Sequence, residues 1–279
     1  MLVVFVGLAL PAVMKVRDTA ARNTCANNLR QIGLALHHYH AVHGYLPPSM
    51  YLKPFPQGSA WSAYLLPFLD QEPLYQQINF SLPVSDPVNL AVIETPLKVY
   101  QCPSAPQDRA VDFAGAALYG TVPGIHLAIG DYAPLYGVGV DLNFYLPPEV
   151  AVGQSGSMVI DETRRFTDIT DGTSNTILIA EIAGRPVRWQ LGVPLPEDLF
   201  NSPGGGWGDG EGAFYLHGIL AGGGVRVING TNLSVYSFHL DGANVLAADG
   251  SVHFLGTATD PALLASLVSY RGGENVSFP

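Results

Sequence analysis

Charge is what this 279-residue chain has least of: Asp, Glu, Lys and Arg together make up 13% of it, about half the share of an ordinary soluble domain. Its surface must be finished largely with Gly, Pro, Ser, Thr, Asn and Gln, a profile that suits an extracytoplasmic surface protein better than a cytosolic enzyme. Cysteine is scarcer still. The two present are Cys25 and Cys102, and without a C-x-x-C pair thioredoxin-like chemistry and cysteine-rich zinc sites are excluded. No H-E-x-x-H, phosphate-binding loop or dinucleotide fingerprint occurs; Gly204-Gly-Gly-Trp-Gly208 lacks the flanking strand and helix that would make it one. Gly153-Gln-Ser155-Gly-Ser157 misses the nucleophile elbow at its fifth residue. No repeat appears at solenoid or propeller periods.

A membrane-spanning run is missing too. The apolar stretch at the front, Leu2 to Val13, is broken only by Gly7 and Pro11 and falls short of the roughly 20 residues that cross a hydrocarbon core. No basic residue precedes it and no Ala-x-Ala cleavage signal follows, so it does not read as a secretory leader. The expectation is that Met1 is not the natural start, or that the run is part of a longer apolar segment.

What is present is an uneven charge and a long helical pattern. Residues 1–30 carry Lys15, Arg17, Arg22 and Arg30 against Asp18, a net +3, whereas the rest carries a net −13. An acidic body argues against nucleic acid, whose phosphates need a basic footprint. A basic cluster directly after an apolar run is what a membrane surface attracts. With 48% hydrophobic residues the chain can bury a core. Ala21, Cys25, Leu29, Ile32, Leu36 and Tyr39 recur every three or four positions, which puts them on one helix face. Nothing interrupts the pattern until His43-Gly44 and Pro47-Pro48. One helix of about forty residues would be on the order of 60 Å long. The chain therefore divides into a helix, residues 1–44, and an α+β body, residues 45–279. Outside the cytoplasm Cys25 and Cys102 could form a disulfide stapling helix to body, worth roughly 4 to 5 kcal/mol in the chain-entropy model. The alternative is two unpaired thiols, one of them on the helix face.

Along the body, Trp61–Leu69 and Leu74–Ile78 read as short helices, the second with Pro73 in its first turn, and 89–93 as another. Lys98–Cys102 reads as a strand ended by Pro103, and residues 105–158 as a large ordered insertion rich in Gly and Pro. Arg165–Ile169 and Thr176–Ile182 read as strands joined by the turn Thr170-Asp-Gly-Thr173. Residues 203–212 and Gly222–Gly224 read as loops. Val235–His239, Ala243–Ala248 and Ser251–Leu255 read as strands, the last two joined through Asp249-Gly250 by a type I′ hairpin turn. Pro261–Tyr270 closes the chain as a helix. The fold class expected is α+β: one long N-terminal helix packed on an antiparallel sheet with large loop insertions.

Several ordered motifs then resemble one family. Cys25-Ala-Asn-Asn-Leu-Arg-Gln-Ile-Gly-Leu-Ala-Leu-His37-His-Tyr-His40 with Gly44-Tyr-Leu-Pro-Pro48 is similar to the start of the pilin-like proteins abundant in Planctomycetes. These carry a domain of unknown function (DUF1559) after a prepilin-type helix. Trp61-Ser-Ala-Tyr-Leu-Leu-Pro67, Gln101-Cys-Pro-Ser104, Asp168-Ile-Thr-Asp-Gly-Thr-Ser-Asn175 and Glu181 also match. So does the C-terminal signature of a His, nine residues, then Asp-Gly: His239, Asp249 and Gly250. The resemblance implies a structural subunit of type IV pilus or type II secretion type, not an enzyme. Such a subunit is inserted in the inner membrane, trimmed by a prepilin peptidase and assembled by helix packing into a filament in the periplasm or outside the cell. Its partners are copies of itself, other pilins or pseudopilins, and the assembly machinery. The family's Gly-Phe-Thr-Leu-x-Glu processing site is absent, while Pro11-Ala-Val13 fits the end of the family's membrane segment. The candidate assembly surface is Leu2, Val3, Val4, Phe5, Val6, Leu8, Leu10, Pro11 and Val13.

Other candidates carry chemistry more weakly. His37 and His40 lie three apart and could share a metal, though histidines at a helix end also suit its dipole. Asp171, Gly172 and Asn175 offer oxygen ligands for Ca²⁺ without EF-hand spacing. His239 with Asp249 could form a catalytic or metal pair; the plainer expectation is that Asp249-Gly250 make the turn and His239 satisfies nearby backbone groups. A membrane-anchored surface module that does not polymerise is the alternative function, binding glycans through exposed aromatics of residues 119–145 and Trp207, or a metal.

Overall fold

The computed structural model describes residues 2–52, 59–109, 111–112, 126–150, 155–196, 204–208 and 212–279; the side chains of 2–12 and 111–112 lie outside that description. The helices are α1 (Leu2–His43), α2 (Trp61–Tyr64), α3 (Glu72–Tyr75), α4 (Pro87–Ile93) and α5 (Pro261–Val268). The strands are β1 (Met50–Tyr51), β2 (Ser59–Ala60), β3 (Val111–Asp112), β4 (His126–Leu127), β5 (Tyr132–Val138), β6 (Ile177–Glu181), β7 (Trp189–Gln190), β8 (Val193–Pro194), β9 (Phe214–Leu216), β10 (Gly242–Ala247) and β11 (Val252–Gly256). Five strands form the main sheet in the order β11-β10-β6-β5-β9. The fold class is α+β, with the long helix in place.

The sheet is buried on both faces, which is why its strands are almost wholly apolar. On one face, Leu178 and Leu246 meet Cys25, Leu29, Ile32, Leu36 and Tyr39 of α1. On the other, Ala243, Val245 and Leu255 meet Leu264, Leu267 and Val268 of α5. α5 starts where Asp260 accepts hydrogen bonds from the Ala262 and Leu263 amides, with Pro261 in its first turn. α1 approaches β10 so closely that a Cβ on Gly33 would lie 2.9 Å from Leu246 Cδ1. The helix docks through the lower half of its length. Further up, Arg22 stacks its guanidinium 4.5 Å over Phe254, and Asp18 accepts the Leu240 amide. Beyond that contact Val13, Met14 and Val16 are exposed. Among the described residues no helix is long and apolar enough to cross a membrane. The candidate assembly residues from Leu2 to Pro11 are helical in backbone, and their side chains lie outside the described set.

Several local expectations are corrected. Lys98–Tyr100 is a 3-10 turn, not a strand: Tyr100 is buried between Trp61 and Trp207, and Asn28 on α1 holds the Lys98 and Gln101 carbonyls. Phe166–Asp168 is another 3-10 turn, set by the Asp168 carboxylate accepting the Arg165 amide. The turn at Thr170–Thr173 joins no hairpin; the Asp171 carboxylate accepts the Gly272 and Gly273 amides and ties down the C-terminal segment. The stretch read as an insertion contains β5, a central strand, despite Pro134 and Gly137. β5 also pairs with β9 in parallel, so the sheet is mixed rather than purely antiparallel; the long connection between them permits this where a hairpin could not. Val235 and Tyr236 make only isolated bridges, to Ile228 and Ile182. The β10–β11 hairpin is present, but only Gly250 has positive φ (89°). With Gly250 N–H bonded to the Ala247 carbonyl and Ala247 N–H to that of Ser251, it is a type I turn with a glycine bulge, not type I′.

Candidate functional site

Four segments converge beneath the docked half of α1. The helix supplies Cys25, the chain after the Lys98–Tyr100 turn supplies Cys102, the end of β6 supplies Glu181, and the loop before β10 supplies His239. All four are buried. One ligand atom from each lies within 4.8 Å of every other. Among the described residues no other group of three or more Cys, His, Asp and Glu side chains converges in this way.

Glu181, Cys102 and His239 are each held from behind. The Glu181 carboxylate accepts the Asn244 backbone N–H at 2.6 Å on Oε2 and its side-chain amide at 3.0 Å on Oε1. Tyr236 N–H bonds to the Glu181 carbonyl, and Ala183 N–H to that of Tyr236, fixing the end of β6. Cys102 is anchored through its backbone N–H to Asp131 Oδ2 at 2.9 Å. Asp131 is itself paired with Arg109 at 2.7 Å, both side chains almost fully buried. Burial pushes the Asp131 carboxyl up, an effect the Arg109 charge and the Cys102 amide oppose. His239 N–H bonds to Ser237 Oγ, which donates to the Gly242 carbonyl.

The imidazole has two different sides. Its Nε2 faces the cluster, 3.3 Å from Glu181 Oε1 and 3.6 Å from Cys102 Sγ. Its Nδ1 faces away, 3.0 Å from Ser104 Oγ and 3.7 Å from Asp18 Oδ1. Burial lowers the His239 pKa, but the hydrogen bonds to Cys102 and Glu181 and the Glu181 charge outweigh it and push the value up to about 10. A hydrogen bond to Cys25, then burial, hold the Cys102 thiol well above its usual range. The arrangement sets a buried imidazole and a buried carboxylate beside two thiols. Cys25 and Cys102 come together as the disulfide reading required, and the structure holds both as free thiols.

The other sequence candidates sit elsewhere. His37 and His40 pack on Phe166, with ring centroids 4.4 and 4.6 Å away, and His40 Nε2 accepts the Phe166 amide. Asp171 is engaged by the Gly272 and Gly273 amides, and the Asn175 side chain donates to the Asp171 carbonyl. Asp249 makes its turn, accepting from Ser251 N–H and Oγ. His253 also contacts Ser251 Oγ at 2.8 Å, but here the serine lies between the acid and the imidazole. A hydrolytic triad needs the imidazole in the middle. His239, expected to satisfy backbone groups, instead faces Glu181 and Cys102. Trp207 is buried and donates to the Thr95 carbonyl, so it offers no ring to a sugar. The sequence singled out Glu181 as a match to the family but gave it no chemical role; a further signal was a carboxylate ending the otherwise apolar run Ile177-Leu-Ile-Ala-Glu181.

Residues 14–262 match the family model described as Protein of unknown function (DUF1559). The chain belongs to the DUF1559 family. No curated protein and no solved structure matches it. The DUF1559 match takes in Cys25, Cys102, Glu181 and His239 together with Asp249 and Gly250, and begins just after the apolar run that ends at Val13.

Proposed function

We propose that this DUF1559 chain is a pilin-like structural subunit that polymerises through α1 into a type IV pilus-like or type II secretion-like filament. The observation that supports it is a 42-residue helix whose lower half is built into the body while Val13, Met14 and Val16 above it are 47%, 64% and 68% exposed. Sixteen residues of helix above Asp18 amount to about 24 Å of rod at 1.5 Å per residue. Burying their side chains among copies of the same helix would contribute about 0.8 kcal/mol per CH₂. On this reading the chain does no catalysis. Its partners are copies of itself, other pilins or pseudopilins and the assembly machinery. It resides in the inner membrane before assembly, then in the periplasm or at the cell surface. Negative-stain microscopy of the full chain should show fibres, and the chain lacking residues 2–17 should remain a folded monomer. Fibres from the shortened chain would overturn the proposal.

One observation favours a second reading. Val140, Phe144 and Tyr145 are 80%, 89% and 55% exposed along one short segment, a contact suited to a surface-binding module that does not polymerise. Display without polymer, together with a glycan-array signal lost in Phe144→Ala, would support it.

A further inference from the structure

The four buried side chains under α1 carry more than packing. Zinc binds thiolate sulfur at about 2.3 Å, imidazole nitrogen at about 2.05 Å and carboxylate oxygen at about 2.1 Å. A tetrahedron with those bonds spaces nitrogen and sulfur about 3.5 Å apart, and nitrogen and oxygen about 3.4 Å. His239 Nε2 lies 3.6 Å from Cys102 Sγ and 3.3 Å from Glu181 Oε1. Both separations match edges of such a tetrahedron, and Cys25 Sγ lies within 4.8 Å of the other three ligand atoms.

The surroundings match what a ligating shell requires. An imidazole ligand needs its other nitrogen engaged so that the coordinating one keeps its lone pair inward. Ser104 Oγ and Asp18 Oδ1 both lie on the Nδ1 side of His239. A ligating carboxylate needs its own hydrogen bonds, and Asn244 supplies two. Four protein donors with no open position and full burial make a structural rather than a catalytic zinc site. A surface cleft of about 250 Å³, lined in part by Asn229, Tyr236, His239 and Asp241, adjoins the same loop.

We propose that Cys25, Cys102, Glu181 and His239 bind one divalent zinc-class ion that clamps α1 to the body. The ion replaces the thiol protons and any proton on His239 Nε2, which pass to solvent. Two thiolates, one carboxylate and a neutral imidazole then leave the site with a single net negative charge. This proposal is independent of assembly, since a chain that never polymerises would still hold the ion.

The test is cobalt titration of the full chain, purified with reductant and stripped with a chelator. The expected result is saturation at one ion per chain, with the strong visible bands of tetrahedral cobalt and a near-ultraviolet thiolate charge-transfer band, both removed by zinc. Cys25→Ser and Cys102→Ser should each cut the charge-transfer band by about half. Ser104→Ala, which removes no ligand, should weaken binding by roughly 10- to 100-fold. If a cysteine variant fails to fold by circular dichroism, the parent titration and Ser104→Ala still decide the matter. Reduced, folded parent chain that gives no tetrahedral cobalt spectrum would overturn the proposal. So would chain isolated without reductant that is metal-free and has Cys25 bonded to Cys102, shown by a mass loss of two hydrogens.

Discussion

Adding one methyl group at Gly33 tests the seam between α1 and the sheet. The new Cβ would stand 2.9 Å from Leu246 Cδ1, 3.5 Å from Cδ2 and 3.7 Å from the Gly250 Cα. Leu246 is fully buried near the end of β10, so it has little room to turn away. Two effects compete. Replacing glycine by alanine within a helix stabilises by about 1 kcal/mol, while overpacking a tight core costs about 1 to 3 kcal/mol. Gly33→Ala should therefore be neutral to destabilising by about 2 kcal/mol, with the clash prevailing over the propensity gain. Leu246→Ala should cost about 2 to 5 kcal/mol, because it opens a cavity between two packed layers. In the Leu246→Ala background the clash is gone and the Gly33 methyl partly fills the space. There Gly33→Ala should stabilise by about 1 kcal/mol, giving a coupling energy of about 1 to 3 kcal/mol. Denaturant titrations of the four proteins measure it, provided the slopes match. If Gly33→Ala has the same effect in both backgrounds, α1 does not meet β10 at this point.

Two further predictions follow from buried and titrating groups. Arg109→Met leaves the Asp131 carboxylate without its partner while that group still anchors Cys102 and Gly184; it should cost about 3 to 5 kcal/mol, and more than Asp131→Asn, as compared by thermal unfolding. For His40, burial first, then the charges of His37 and Arg165, lower the pKa below 6.5. The native state therefore holds it neutral under conditions where the unfolded chain binds a proton, so its contribution is lost as pH falls below 6.5 and is constant above. His40→Gln should flatten the part of the stability profile just below pH 6.5; an unchanged slope there would remove His40 from the account.

Periodicity made α1 legible from residue types alone, because a docked helix must bury every third or fourth side chain. Its end at His43-Gly44 was equally plain: Gly44 takes φ 80° there. The β10–β11 hairpin and α5 were readable for similar local reasons, an Asp-Gly turn and an Asp-Pro start. Beyond such local rules the sequence misled. Lys98–Tyr100 has strand-forming residues, yet Tyr100 is stationed between two tryptophans drawn from distant segments, and the backbone tightens to suit. β5 was hidden because Pro134 and Gly137 argue against a central strand, and only its two neighbours in the sheet make it one.

The cluster under the helix divides in the same way. From the sequence came the two cysteines as a pair worth watching, the His and Asp-Gly signature, and the burial of Cys25 on a helix face. Residue types in isolation could not say that His239 turns from Asp249 toward Glu181 and Cys102. That choice is made by Ser104, Asp131, Ser237 and Asn244, which come from three separate stretches and meet only when the layers close. A helix face is written within a few successive turns of one segment; a site of four donors exists only where packing brings distant backbone together.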